Sequence, residues 1–375
     1  GLGMTARFIS VHLLHALPLH NRNRDQNGLP KTAFDGGVQR GRLSSQSLKR
    51  AARVALRNGG FDLSVRTRLG AEQVLEAAKA YSAANDLALD DKAAAKEAAV
   101  IVRGLTNKDA KKDPDPKGAT KEPDPKDGDN VILLARSEIT ALGKAVVDAQ
   151  HGGQAATEDD LVADCRSAAL DVAAFGRMFA KAQTKGTQAA VAVSHAITCH
   201  PIQFTVDYFS AVDDVKVDDS GAAHIGMAYY TSGVYYHSFT VDVEQLRRSW
   251  TMFGQDGWRE QMAALVKALI TALPSGKDTN TAAHTLPFIV LAEAQHLRVN
   301  YGFDAPVQSG PEGGYALTSA LALAQQREIA LTFDPANFGE SIAYVAGTVA
   351  VDLKSPSADS IDDVVKFVVH ATHEA

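Results

Sequence analysis

Segments with the composition of β-strands stand near both ends of this chain, and a long alanine-rich stretch of helical pattern lies between them. The first strand-like segment covers residues 7–15 ("RFISVHLLH"), and others follow at 188–199, 228–241 ("AYYTSGVYYHSFTV"), 285–292 and 342–351. Their β-branched and aromatic content suits a pleated, partly buried surface. From residue 59 to 186 the pattern changes, and the segments 71–84, 93–102 and 161–182 read as helices. A strand upstream of such a block can join strands downstream of it only if the block is an insertion. The expected class is therefore α+β, with further helices over 243–273, 315–328 and 360–371. No repeat of fixed period emerges, which argues against a solenoid.

With 375 residues and 45% hydrophobic content, the chain can bury a substantial core and is expected to form two or more lobes. Its two cysteines, Cys165 and Cys199, lie too far apart to suggest a zinc ribbon or a disulfide framework, so a reducing compartment is expected. No apolar run approaches the roughly 18–20 residues of a membrane span, and no signal-peptide core opens the chain. A cytoplasmic protein is the expectation, with Gly1-Leu2-Gly3 ahead of Met4 read as a cloning remnant.

Two stretches resist assignment to a core. Residues 107–130 ("NKDAKKDPDPKGATKEPDPKDGDN") hold Pro, Asp and Lys with almost no apolar side chain, and their charges nearly cancel. Such a tract cannot bury enough surface to order itself, so a solvated loop is expected rather than a binding tail. The connection 201–227 is too long for a plain turn, and a protruding hairpin or arm over 200–227 is expected there.

Charge is distributed unevenly. Residues 1–70 hold twelve Lys or Arg against three Asp or Glu, whereas the whole chain carries −6, so the remainder carries −15. Most of this surplus sits in residues 23–57 ("NRDQNGLPKTAFDGGVQRGRLSSQSLKRAARVALR"), read as a glycine-rich loop leading into a helix that starts near Ser44, a residue able to cap the first turn. On that helix Gln46, Lys49, Arg53 and Arg57 recur at spacings of three and four and share a face. Leu48, Ala51, Ala52 and Ala55 lie on the other. A basic stripe of this kind is commonly a solvated surface. Here no acid is interleaved to pair with the bases, and the preceding loop adds Arg22, Arg24, Lys31, Arg40 and Arg42, a pattern that suits successive phosphates.

The same residues resemble a family. "NRD" at 23–25, Lys31, "FDGG" at 34–37 and "RLSSQSLKRAAR" at 42–53 resemble CasC, the backbone subunit of the type I-E CRISPR surveillance complex Cascade, of the RAMP superfamily. "GRM" at 176–178, "SHAIT" at 194–198, "YFSAVDD" at 208–214, and "GAAHIG" and "YTSGVYY" within 221–236 agree in order and spacing. The likeness extends over about residues 7–270 and fades toward the C-terminus. It implies a ferredoxin-like, RRM-like palm (4–58 and 187–375), a helical fingers insertion (59–186) and a thumb hairpin (200–227). It also implies several copies, six in the family, stacked along the spacer of a CRISPR RNA, with every sixth nucleotide flipped out and with target DNA and other Cascade subunits as partners. Carried over, Arg24, Lys31, Ser44, Gln46, Lys49 and Arg53 hold the guide backbone, with Arg42 and Arg50 beside them. Met178, Phe209 and Val212 wedge against bases, and Tyr208 stands where the family often has tryptophan. Phosphate contacts carry no sequence information, as a subunit that accepts any spacer requires.

Catalytic chemistry is not expected. His12, His15, His20, His195 and His200 form no recognised metal-ligand motif, and His12 and His15 should face opposite sides of their strand. Gly36 and Gly37 are not followed by a phosphate-loop lysine with Ser or Thr. The resemblance also extends to type III backbone subunits, some of which cleave RNA with an aspartate in the loop after the first strand. Asp25 and Asp35 lie in such a loop, so a metal-dependent ribonuclease is the alternative. No cofactor or metal is expected for the backbone reading.

Overall fold

The computed structural model describes residues 6–61, 63–106, 132–179, 182–211 and 224–374. The Pro-Asp-Lys tract and Val212 lie outside the described residues. In chain order the elements begin with β1 (Phe8–His20), β2 (Thr32–Asp35), β3 (Val38–Leu43) and α1 (Ser45–Asn58). There follow β4 (Ser64–Thr67), α2 (Gly70–Ala84), α3 (Asp91–Thr106), β5 (Ile132–Ala135), α4 (Arg136–Gln150), α5 (Glu158–Leu161) and α6 (Leu170–Phe175). The next group is β6 (Val191–Val193), β7 (Ala196–Thr198), β8 (Thr205–Ala211), β9 (His224–Asp242), α7 (Val243–Ser249) and α8 (Trp258–Thr271). Last come α9 (Asp278–Thr281), β10 (Ile289–Gln295), α10 (Ala316–Phe333), β11 (Phe338–Val345) and α11 (Ile361–Glu374). The class is α+β. The chain divides into two compact units, one drawn from the chain up to Leu56, Ala192–Val243 and Met262 onward, the other from Arg57–Val191 and Glu244–Gln261.

The first unit is built on a sheet of order β11-β10-β1-β9-β7-β3-β2, with β8 paired to β9. The pairings along this path are antiparallel. β1 is buried almost throughout and lies between β9 and β10, where Leu14 is opposite both Tyr236 and Ile289. It runs five residues past the predicted end, because a register shift between Leu17 and His20 takes Pro18 out of the ladder that its missing N–H could not complete. Leu14, Val234, Ile289 and Leu291 pack with Ala320 and Leu323 of α10 and with Ala343 and Leu353.

α1 docks through Leu48, Ala52 and Leu56, spaced by four, and Leu48 joins Leu17, Leu43, Ala196 and Tyr235. Burial of each leucine contributes about 1.5–3 kcal/mol. The predicted stripe had Ala55 in place of Leu56; Ala55 is exposed, because the larger side chain takes the sheet-facing position. The strand predicted over 188–199 is broken into β6 and β7. The break is at Ser194 and His195: Ser194 Oγ accepts the Ser238 amide at 2.9 Å, and His195 turns toward the start of α1. The predicted glycine-rich loop likewise contains the β2–β3 hairpin.

In the second unit α2, α3 and α4 enclose Val74, Ala98, Leu105, Leu134, Leu142 and Val146, and β4 pairs with β5. α4 falls inside the stretch read as a helical insertion, outside the three helices singled out within it. Among the described residues of the helix predicted over 161–182, only α6 forms beyond the end of α5, bounded by Cys165 at φ 58° and Gly176 at φ 84°. Among the described residues no helix is long and apolar enough to cross a membrane.

The core of the first unit encloses ionisable groups. Glu293, 1% exposed, lies 2.7 Å from His12 Nε2, accepts the Tyr301 hydroxyl at 3.0 Å and the Arg327 Nε at 3.1 Å. Burial raises its pKa, but the hydrogen bond and charge of His12 and the charge of Arg327 outweigh this and hold it below the usual carboxylate range. Desolvation dominates elsewhere. It lowers His15 and His20 from 6.5 to about 4, and His237 to about 3. These imidazoles stay neutral in the folded chain but bind protons when unfolded, so stability is full above about pH 6.5 and falls as pH drops toward 4. Each contributes up to about 1.4 kcal/mol per pH unit. Denaturant midpoints measured from pH 7 to pH 4.5 should show this fall, and His20→Gln should reduce the slope by close to one proton; an unchanged slope would mean that His20 titrates normally in the folded chain.

Candidate nucleic-acid interface

The loop after β1 is organised by Asn23. Its carbonyl accepts the Lys31 amide at 2.9 Å and its Oδ1 accepts the Ser44 amide at 2.9 Å, so one side chain ties the loop to the cap of α1. Ser44 Oγ in turn accepts the Ser47 amide at 3.2 Å, the N-cap bond that its position predicts. Asp35 and Val38 close a two-residue hairpin turn in which Gly36 and Gly37 adopt φ 59° and 77°, the paired left-handed geometry of a type I′ turn. A Cβ at Gly36 would fall on the Asp304 carbonyl and the Arg40 guanidinium.

Two of the loop's predicted phosphate donors are structural instead. Arg22 is buried, donates to the carbonyls of Ala283 and Pro274, and pairs with Asp278 at 3.1 Å. Arg40 is fully buried and donates to the carbonyls of Asp35, Thr198, Phe303 and Asp304. The remaining bases are at least partly exposed. Arg24 is exposed on the rim of a cavity of about 510 Å³ shared with Asn23, Asp25 and Gln26. Gln46 and Arg50 are exposed on α1, whereas Lys31, Arg42, Lys49 and Arg53 are half-buried.

The positive charges of Lys31, Arg42 and Lys49 all act on His195. Partial burial lowers the His195 pKa, and the positive charges of Arg42, Lys31 and Lys49 lower it further. No carboxylate pairs with these three cations among the described residues. Concentrated, unneutralised positive charge beside a helix start without an acid in its first turn suits a polyanion. His195 and Asn23 were not among the predicted site residues, and only the "SHAIT" and "NRD" motifs could have pointed to them.

The predicted wedge residues lie in two places. Met178, in the second unit, is 87% exposed between two buried neighbours. Arg177 donates to Glu138 at 2.6 and 3.0 Å and stacks over Phe179, which is itself buried. The methionine is therefore displayed from a loop anchored on both sides. Tyr208 and Phe209, in the first unit, are on β8 and point to opposite faces of its hairpin with β9. Tyr208 is opposite Met227; Phe209 lies across Gly226, where any Cβ would strike its ring.

The carboxylates of the alternative reading are placed as follows. Asp25 Oδ1 accepts the amides of Asn27 at 2.8 Å and Leu29 at 3.0 Å, closing its own turn. Asp35 is exposed beside the hairpin turn. Among the described residues no group of three or more His, Cys, Asp or Glu is placed to hold a metal ion.

Comparison with known proteins gives two kinds of match. The family model described as "CT1975-like protein" matches residues 9–366. A solved chain titled "CRISPR RNA-guided surveillance complex, pre-nicking" superposes with a TM-score of 0.75 at 26% identity, covering 97% of this chain and 100% of the other. A second, titled "CRISPR RNA-guided surveillance complex", superposes with a TM-score of 0.68 at 21% identity, covering 97% of this chain and 99% of the other, and shows the shared fold. No match is found among curated proteins.

The loop bearing Met178 separates display from support. Arg177→Met leaves Glu138 buried without its cation and should cost about 3–5 kcal/mol. Met178→Asp, on an exposed tip, should change stability by less than about 0.5 kcal/mol. Urea unfolding of both variants checks this, and a large loss at Met178 would show that its side chain supports the fold.

Proposed function

The chain belongs to the CT1975-like protein family, and from that premise we propose that it is a non-catalytic, RNA-binding backbone subunit of a Cascade-type CRISPR surveillance complex. In this reading several copies assemble along a CRISPR RNA with other Cascade subunits and present the guide for pairing with target DNA. The first unit serves as the RRM-like palm, the second as the fingers, and the β8–β9 hairpin as the thumb.

The observation that carries the proposal is that Lys31 and Arg42, joined by the Arg42 amide to the Lys31 carbonyl, and Lys49, one turn into the capped α1, have no carboxylate partner among the described residues. Phosphates are the complementary ligand, and contacts to them leave the spacer sequence free. Arg24, Ser44, Gln46, Arg50 and Arg53 extend the same surface as further backbone contacts. Met178, Tyr208, Phe209 and Val212 supply sequence-tolerant apolar contacts, since every base has a face to pack against, at about 1–3 kcal/mol per stacked base. A hydrolytic role for Asp25 is disfavoured by its turn, which already occupies one carboxylate oxygen.

Binding to single-stranded RNA measured across salt concentrations tests the proposal. Arg42→Ala with Lys49→Ala should flatten the log–log slope by about 1.4, at about 0.7 for each lost contact. An unchanged slope would place these residues away from the RNA. On a long guide the protein should assemble as a ladder of regular register, and a strict one-to-one complex would reject the backbone role. Cleavage of complementary RNA with a divalent metal, abolished by Asp25→Asn or Asp35→Asn, would establish the ribonuclease instead.

A further inference from the structure

The Ser45 amide donates to His195 Nδ1 at 3.0 Å. An amide nitrogen can only donate, so Nδ1 must be the bare nitrogen and the ring proton sits on Nε2. The bond satisfies one of the donors that a helix start leaves without a partner. The imidazole is nevertheless exposed, on the rim of a cavity of about 420 Å³ shared with Ser45, Ser194, Asn300 and Asp35. The groups that act on it are Lys31 ahead of β2, Arg42 at the end of β3 and Lys49 on α1; Asp35 is the acid on the same rim.

We infer that His195 is a further contact residue for the RNA phosphodiester, a neutral donor locked in one tautomer by the Ser45 amide, with Nε2–H directed to a phosphate oxygen among Lys31, Arg42 and Lys49. This rests on the proposed RNA-binding role of that face. A second proton would have to enter at Nδ1, where it would break the bond to Ser45 and place a fourth cation beside three. The ring therefore adds a hydrogen bond without adding a charge, and its partial burial and the neighbouring positive charges favour the neutral form.

Affinity for a single-stranded RNA, measured against salt with the full chain, tests this. His195→Ala should bind roughly tenfold more weakly with the salt slope of the wild type, because loss of a neutral donor releases no fewer counterions. Ser45→Pro removes the locking amide at the first helical position, where proline is accommodated. Its His195 is no longer held with the proton on Nε2, so the variant should bind severalfold more weakly than the wild type at an unchanged salt slope. Wild-type affinity in His195→Ala, a shallower slope in that variant, or wild-type affinity in Ser45→Pro would each overturn the inference. If instead the wild type binds no RNA, or Lys49→Ala leaves the slope unchanged, the assignment of the face fails and not the tautomer lock alone.

Discussion

The Arg40 guanidinium is the tie on which the candidate interface depends. It is fully buried, and its charge is met by carbonyl oxygens from three segments: Asp35 in its own hairpin, Thr198 at the end of β7, and Phe303 with Asp304. Buried charge is tolerable only when its donors are satisfied. The hairpin turn is equally constrained, since Gly36 packs against the Asp304 carbonyl with no room for a side chain. With β2–β3 fixed in this way, Lys31 and Arg42 are held at its base, where the Arg42 amide donates to the Lys31 carbonyl at 2.9 Å. Asn23 then links that base to the cap of α1. The basic residues are thus positioned by backbone pairing and need no acidic partners, which leaves their charge available.

Cations in this chain therefore divide by environment. Arg22, Arg40, Arg177 and Arg327 are buried and hold segments together through carbonyls or carboxylates. The planar fork of arginine suits that work, since several fixed donors can be satisfied at once. Lys31, Arg42 and Lys49 stand partly in solvent around His195, and Gln46 and Arg50 continue the outward face of α1. In a chain of net charge −6, this is a local concentration of positive charge, the kind of potential to which a polyanion responds more than to net charge.

Sequence reading located what depends on composition and local periodicity. β1, α1 with its Ser44 cap, the strand that became β9, α10 and α11 were legible because burial pattern and capping chemistry are written in neighbouring residues, whereas β11 ends at Val345, six residues short of the strand predicted over 342–351. The β2–β3 hairpin was missed although Gly36 and Gly37 carry a two-residue turn signal, because the surrounding bases were read as a loop. Arg22 and Arg40 could not be told from Arg24 and Arg42, since their burial follows from carbonyls contributed by residues more than 150 positions away. His195 was hidden for the same reason: its role depends on the Ser45 amide, and sequence does not show which nitrogen of an imidazole is occupied. The break between β6 and β7 frees that ring from the ladder.

β9 joins two different mechanical environments in one strand. From Gly233 to Asp242 it lies against β1 in the sheet, while from His224 to Tyr230 its partner is β8. A two-stranded ribbon alone is marginal in water. Here its inner end continues into a buried strand, so its register is set by the core: Tyr235 and Tyr236 are fixed by packing, and the period of two then decides which side chains each face of the ribbon receives. One face carries Val206, Tyr208, Ile225 and Met227, all substantially exposed; the other carries Phe209 over Gly226. A contiguous apolar face retained on an outlying ribbon marks a contact surface. A ribbon whose register is held by the core presents that face in one fixed arrangement. A one-residue slip would exchange Tyr208 for Phe209, and the buried half of β9 is what forbids it.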